Sequence, residues 1–178
     1  MKNCKNLIFL LFAVSMLMAC GGNSNSNKSD VAMEKIDLSE YKIPLVIDAP
    51  EGAVVKESIA MTMFSGFGLL AYEIKKDNFI IEVSMLENDS TQLVATLVER
   101  EKENTKSNEN FDSFVSEDVN GFIYKTVSDG NDDYNFYYAK PVGTHIVEFR
   151  NGFRLSYFTL DEVKLHYESA KKASEKTL

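Results

Sequence analysis

The chain has 178 residues, 44% hydrophobic and 26% charged, enough apolar surface for one core and too much for wholesale disorder. Its 27 acidic residues outnumber its 19 basic ones, a net charge of −8. That balance argues against a nucleic-acid partner, since no basic stripe interleaved with aromatics is present to neutralise phosphates.

Two lysines, Lys2 and Lys5, open the chain, and residues 7–18 (LIFLLFAVSMLM) follow as a nearly unbroken apolar run. The run has the length of a signal-peptide core and falls short of the about 20 apolar residues that span a bilayer. It ends in Leu17-Met18-Ala19-Cys20. This tetrapeptide resembles the lipobox of bacterial lipoproteins: an aliphatic residue three before the cysteine, a small one directly before it, and a bulkier Met18 between. The resemblance implies cleavage after Ala19, diacylglycerol in thioether linkage on Cys20, and acylation of the new amino terminus. Such chemistry needs a cysteine because the thiolate is the nucleophile that takes the lipid. Two or three acyl chains hold a protein stably where one binds marginally, each buried CH₂ contributing about 0.8 kcal/mol.

Residues 1–19 therefore read as a lipoprotein signal peptide. Removing Lys2 and Lys5 leaves 17 basic against 27 acidic residues, a net −10. Anionic headgroups repel such a chain, so the domain is expected to stand off the bilayer and depend on its anchor. Cys4 lies in the leader and Cys20 is modified, which leaves no thiol for a disulfide or a thiolate enzyme. Residues 20–35 read as a lipidated, flexible tether, because residues 21–30 (GGNSNSNKSD) are small, polar and aperiodic. Gly21 follows the cysteine and no acidic run does, which points to the outer membrane, facing the periplasm. The membrane, through the lipid on Cys20, is then one partner and an envelope protein is the other.

Residues 36–178 read as a single domain. Residues 43–47 (IPLVI) predict an edge strand bearing Pro44, and Asp48-Ala49-Pro50-Glu51-Gly52 predicts the turn that closes it. An extended segment over 54–63 follows, interrupted by Phe64-Ser65-Gly66-Phe67-Gly68. Ser65 lacks the first glycine of a nucleophile elbow. Phe64 and Phe67 are candidate partner contacts. Residues 69–74 and 79–86 flank a turn and alternate with period two, predicting an antiparallel hairpin. At Leu93, Val94, Leu97 and Val98 the period changes to that of a helix, predicted over 90–104 with Asp89 as cap.

Four strands are then predicted, over 111–116, 121–127, 134–140 and 144–150, joined as an antiparallel meander. Thr159 and Glu162 have capping-box spacing at the start of a closing helix that carries Leu160, Val163, Tyr167, Ala170 and Ser174 on one face. Runs of strands broken by two helices predict an α+β fold: a largely antiparallel sheet of about six to eight strands, packed with two helices. The order of a Pro-bearing strand (Ile43-Pro44), a Pro50-to-Gly52 turn, hairpin, helix, meander and C-terminal helix resembles the photosystem II extrinsic protein PsbP and its non-photosynthetic relatives. That resemblance implies a non-enzymatic adaptor role and carries no binding residues across.

The remaining residues suggest little chemistry. His145 and His166 read as surface or edge histidines without metal-ligand spacing. Asp129, Asn131, Asp132 and Asp133 cluster in one turn and form the alternative reading of a calcium-binding module, though without the order of an EF-hand loop. Phe122, Tyr124 and the run Tyr134-Asn135-Phe136-Tyr137-Tyr138 supply core on one face and either core or a tyrosine platform on the other. An enzyme of unrecognised class, using exposed carboxylates such as Glu73 or Glu82, is the rival to a non-catalytic binding or scaffolding domain. No catalytic residue, cofactor or metal is assigned.

Overall fold

The period-two stretch around Ile81 and Val83 forms the spine of the molecule, because its alternate side chains serve two different cores. A computed structural model describes residues 31–58, 71–87 and 94–176. Those residues lie in one unit, Val31–Leu178. In chain order the elements are β1 (Met33–Asp37), a 3-10 turn (Ser39–Tyr41), β2 (Leu45–Pro50), β3 (Val54–Glu57), β4 (Ala71–Lys76), β5 (Phe79–Glu87) and α1 (Val94–Lys106). There follow β6 (Phe111–Asp118), β7 (Gly121–Ser128), β8 (Asn131–Val142), β9 (His145–Asn151), α2 (Leu160–Lys172) and β10 (Ser174–Glu175).

Seven strands form an antiparallel sheet in the order β3-β4-β5-β9-β8-β7-β6, and β1-β2-β10 form a second, smaller one. The domain is α+β, with ten strands and two helices among the described residues. On one face of the large sheet Ile74, Ile81, Val83, Phe136, Tyr138, Val147 and Phe149 pack with Val163, Tyr167 and Ala170 of α2 and Leu45, Ile47 and Ala49 of β2. On the other face Phe122, Tyr137, Ala139 and Ile146 pack with Leu97 and Val98 of α1. The helices thus cover opposite faces. Neither described helix is long and apolar enough to cross a membrane.

Local signals set the boundaries. Thr159 caps α2 by accepting from Glu162 N at 3.4 Å, while Glu162 Oε2 accepts from Thr159 N at 2.8 Å. The acidic turn between β7 and β8 is shorter than the sequence implies. Asp129 (φ 51°) and Gly130 (φ 77°) both take positive φ, so a two-residue turn suffices and Ser128 pairs directly with Asn131. Residues 48–50 are strand instead of turn, because β1 pairs with them: Lys35 opposite Asp48, Glu34 opposite Ala49, Met33 opposite Pro50. The strand β1, which takes in Met33 to Lys35 of the stretch read as tether, carries mostly exposed side chains. Gly121 is required by contact: a Cβ there meets Tyr138 Cα at 2.9 Å.

Candidate functional site

The pleat places directly opposite residues on one face, and on the sheet face that carries α1 this aligns four polar side chains from four neighbouring strands: Glu73, Glu82, Arg150 and Tyr137. Glu148, two residues before Arg150, shares that face. Glu82 and Glu148 are 8% and 4% exposed, so each carboxylate depends on protein partners. Tyr137 donates its hydroxyl proton to Glu148 Oε1 at 2.5 Å. The Arg150 guanidinium lies 3.5 Å from Glu148 and 3.2 Å from Glu101 of α1, with its plane 4.9 Å from the centre of the Tyr137 ring. Ser58 donates to Glu82, and Phe153 N donates to Glu73 Oε1 at 3.0 Å.

Burial raises the pKa of Glu82, aided by the nearby Glu73 charge and opposed by the Ser58 hydrogen bond and the Arg150 charge. Burial and the Glu148 carboxylate push the Tyr137 hydroxyl well above its ordinary value, so it stays a donor. For Arg150, burial pulls down and the charges of Glu148 and Glu101 push up more strongly; the guanidinium stays charged. Beside this network a pocket of about 150 Å³ is lined by Glu101, Tyr124, Asn135, Tyr137, Arg150 and Asn151. It is smaller than the roughly 300 Å³ at which drug-sized ligands are accommodated. Chemically, the network exchanges hydrogen bonds between opposite charges and commits the Tyr137 and Ser58 hydroxyl protons to Glu148 and Glu82, while the buried Arg150 Nε has no hydrogen-bond partner among the described residues.

Other residues singled out by the sequence fall elsewhere. Cys20, Phe64, Ser65 and Phe67 lie outside the described residues. Glu82 is not an exposed carboxylate: it faces the sheet interior between Glu73 and Arg150. His166 is not on the surface either, at 1% exposed. Its ring is ringed by Phe79, Phe136 and Phe158, because the α2 face that carries Val163 and Ala170 also carries position 166. His145 is half-buried beside Ser39, Lys42, Pro44 and Met85. The two histidines sit at opposite ends of β5, His145 opposite Glu87 and His166 against Asn78 and Ile80.

In the acidic turn the carboxylates face cations of the protein itself: Asp132 lies 3.3 Å from Lys125, and Asp133 pairs with Arg154. No group of three or more metal-ligating side chains is found among the described residues. Phe122, Phe136, Tyr137 and Tyr138 are all buried, so the aromatic run furnishes both cores and no solvated platform. Sequence reasoning missed Glu101, Glu148 and Arg150. For Glu148 and Arg150 the signal is faint, two charged residues at period two among Ile146, Val147 and Phe149 of β9.

Comparisons with protein-family models, with curated proteins and with solved structures returned no match in any of the three.

Proposed function

We propose that this is a non-catalytic binding or scaffolding domain of the cell envelope, held by lipid on Cys20 to the outer membrane and facing the periplasm. The observation that carries the reading is Leu17-Met18-Ala19-Cys20 behind an apolar segment and ahead of a small, polar tether. A binding role over an enzymatic one is supported by the pairing of the Glu148 and Glu101 carboxylates with Tyr137 and Arg150. A general base must be free to take a proton from a substrate within reach, and these groups are spent on each other. The adaptor role implied by a PsbP-like order of elements is consistent with it.

The test is fractionation of cells expressing the wild-type chain and Cys20→Ala, with labelled palmitate in the medium. The wild type is expected in the membrane fraction carrying label, and the variant in the soluble fraction without it. A variant that stays with the membrane overturns the anchor.

A further inference from the structure

Residues 152–158 join β9 to α2, and their backbone is pinned to the domain at several points. Gly152 N donates to Ile80 O at 3.1 Å and Phe153 N to Glu73 Oε1 at 3.0 Å. Arg154 pairs with Asp133 and lies 3.5 Å over the centre of the Phe158 ring. Phe158 N donates to Asp133 Oδ1 at 2.8 Å, and its carbonyl accepts from Tyr134 N at 3.1 Å. Held in this way, the loop turns Arg154 and Phe158 inward. Phe153, Leu155 and Tyr157 are left outside, 68%, 99% and 47% exposed. Three large apolar side chains at alternate positions on a fixed support form a patch with an outward purpose.

That patch shares an end of the domain with the point where the chain arrives from its amino-terminal side. Met33 is opposite Pro50, β3 begins two residues beyond Gly52, and its first residue Val54 is opposite Lys75. The Asp77-Asn78 turn follows, and Asn78 donates to Glu162 in the first turn of α2 at 2.7 Å. The end of β9 is there too, with Asn151 opposite Ile81. A Gly/Ser-rich coil of the length from Cys20 to Met33 would have a root-mean-square span of about 20 Å, so an anchored domain keeps this end near the bilayer.

We infer that Phe153, Leu155 and Tyr157 form a foot by which the anchored domain rests on the polar–apolar boundary of the bilayer; this rests on the lipid anchor proposed above. A specific protein interface takes about 800 Å² from each partner, more than three loop side chains offer. A bilayer interface accepts aromatic and aliphatic side chains singly. The tether supplies effective concentration, so a contact too weak for a free protein is populated in an anchored one. Lys75 and Lys76 are exposed at this end, as are Asp77 and Asp129, and the mature chain is acidic. Neutral headgroups therefore suit the contact better than anionic ones.

The sequence contains no tryptophan, so Leu155→Trp adds a single fluorophore at the tip of the loop. Val119→Trp adds one at the β6–β7 turn, 80% exposed and at the other end of the sheet. Both full-length, lipidated variants are reconstituted in phosphatidylcholine vesicles containing brominated lipid. Expected is co-flotation of both, with a blue shift and several-fold stronger quenching for Leu155→Trp, reduced when phosphatidylglycerol is added. Equal, weak quenching in protein that floats with the vesicles overturns the foot and leaves the anchor standing. Protein that does not float overturns the anchor, and the foot with it. A blue shift of Leu155→Trp that needs no vesicles and grows with protein concentration assigns the loop to a second copy and overturns the inference.

Discussion

Replacing His166 with glutamine should flatten the acid limb of the stability curve. The imidazole is 1% exposed and enclosed by three phenylalanine rings. Its Nε2 lies 3.2 Å from Asn78 O and 3.4 Å from Ile80 N. The shorter contact favours Nε2 as the protonated nitrogen, donating to Asn78 O. Nδ1 is then a buried acceptor without a hydrogen-bond partner among the described residues, and the Ile80 N–H, aimed at the same Nε2, loses its acceptor.

Burial lowers the pKa of His166 from 6.5 to about 4; the Asn78 contact and Glu162 pull it back up, and Arg154 pushes it further down. A histidine depressed on folding stays neutral in the folded chain where the unfolded chain takes up a proton. Stability from this residue is therefore complete above pH 6.5, is lost between 6.5 and about 4, and changes no further below, where both states are charged. At about 1.4 kcal/mol per unit of pKa, the loss approaches about 3 kcal/mol. Glutamine keeps a donor for Asn78 O and does not titrate. Urea unfolding at pH 7.5, 5.5 and 4 should show the wild type losing about 3 kcal/mol more than His166→Gln across the range. Parallel pH profiles for the two proteins would refute the reasoning.

Two further substitutions probe the large sheet. Glu82→Gln should stabilise the domain at pH 7.5, because a raised carboxyl pKa means stability is lost as pH climbs from 4.5, where the unfolded chain ionises, to the higher folded value; the gain should vanish below 4.5, where both states are protonated, and thermal melts at the two pH values check this. Gly121→Ala drives a Cβ into the backbone of β8 at Tyr138 and should cost about 3 kcal/mol or prevent folding. Denaturant titration, with Gly130→Ala at an open, positive-φ turn position as the milder comparison, separates a packing clash from a backbone-conformation cost.

Much of the fold was legible because period-two and period-3.6 patterns coincide with the two cores. Residues Phe79 to Leu86 alternate because Ile81 and Val83 face α2 while Glu82 and Ser84 face the other side. The Thr159–Glu162 box places the start of α2 to the residue. β1 escaped notice because its pattern is nearly all exposed; it is held by main-chain pairing with β2, which leaves no trace in side-chain hydropathy. The same limit hid the network on the α1 face. Glu101 on a helix and Arg150 on a strand 49 residues later meet only through tertiary packing, and no local spacing encodes that encounter. Leu155 was equally opaque, since an apolar residue in a short loop looks the same in sequence whether it packs inward or stands clear.

The pairing of β1 with β2 also sets how the domain responds to force. Tension that lifts Met33 sideways from β2, across the ladder, loads the outermost pair, Met33 with Pro50, and then each following pair in turn down to Asp37 with Val46. The bonds of β1 are therefore peeled singly, and are not sheared together. Its side chains are largely exposed and only Ile36 packs against the core, so releasing it strips little apolar surface while β2 keeps β10 and α2 as neighbours. Five residues of strand freed in this way add roughly 17 Å of contour, at about 3.4 Å per residue, to the free chain ahead of the domain. β1 is in effect a reel of spare chain, paid out under load before the body of the domain gives way.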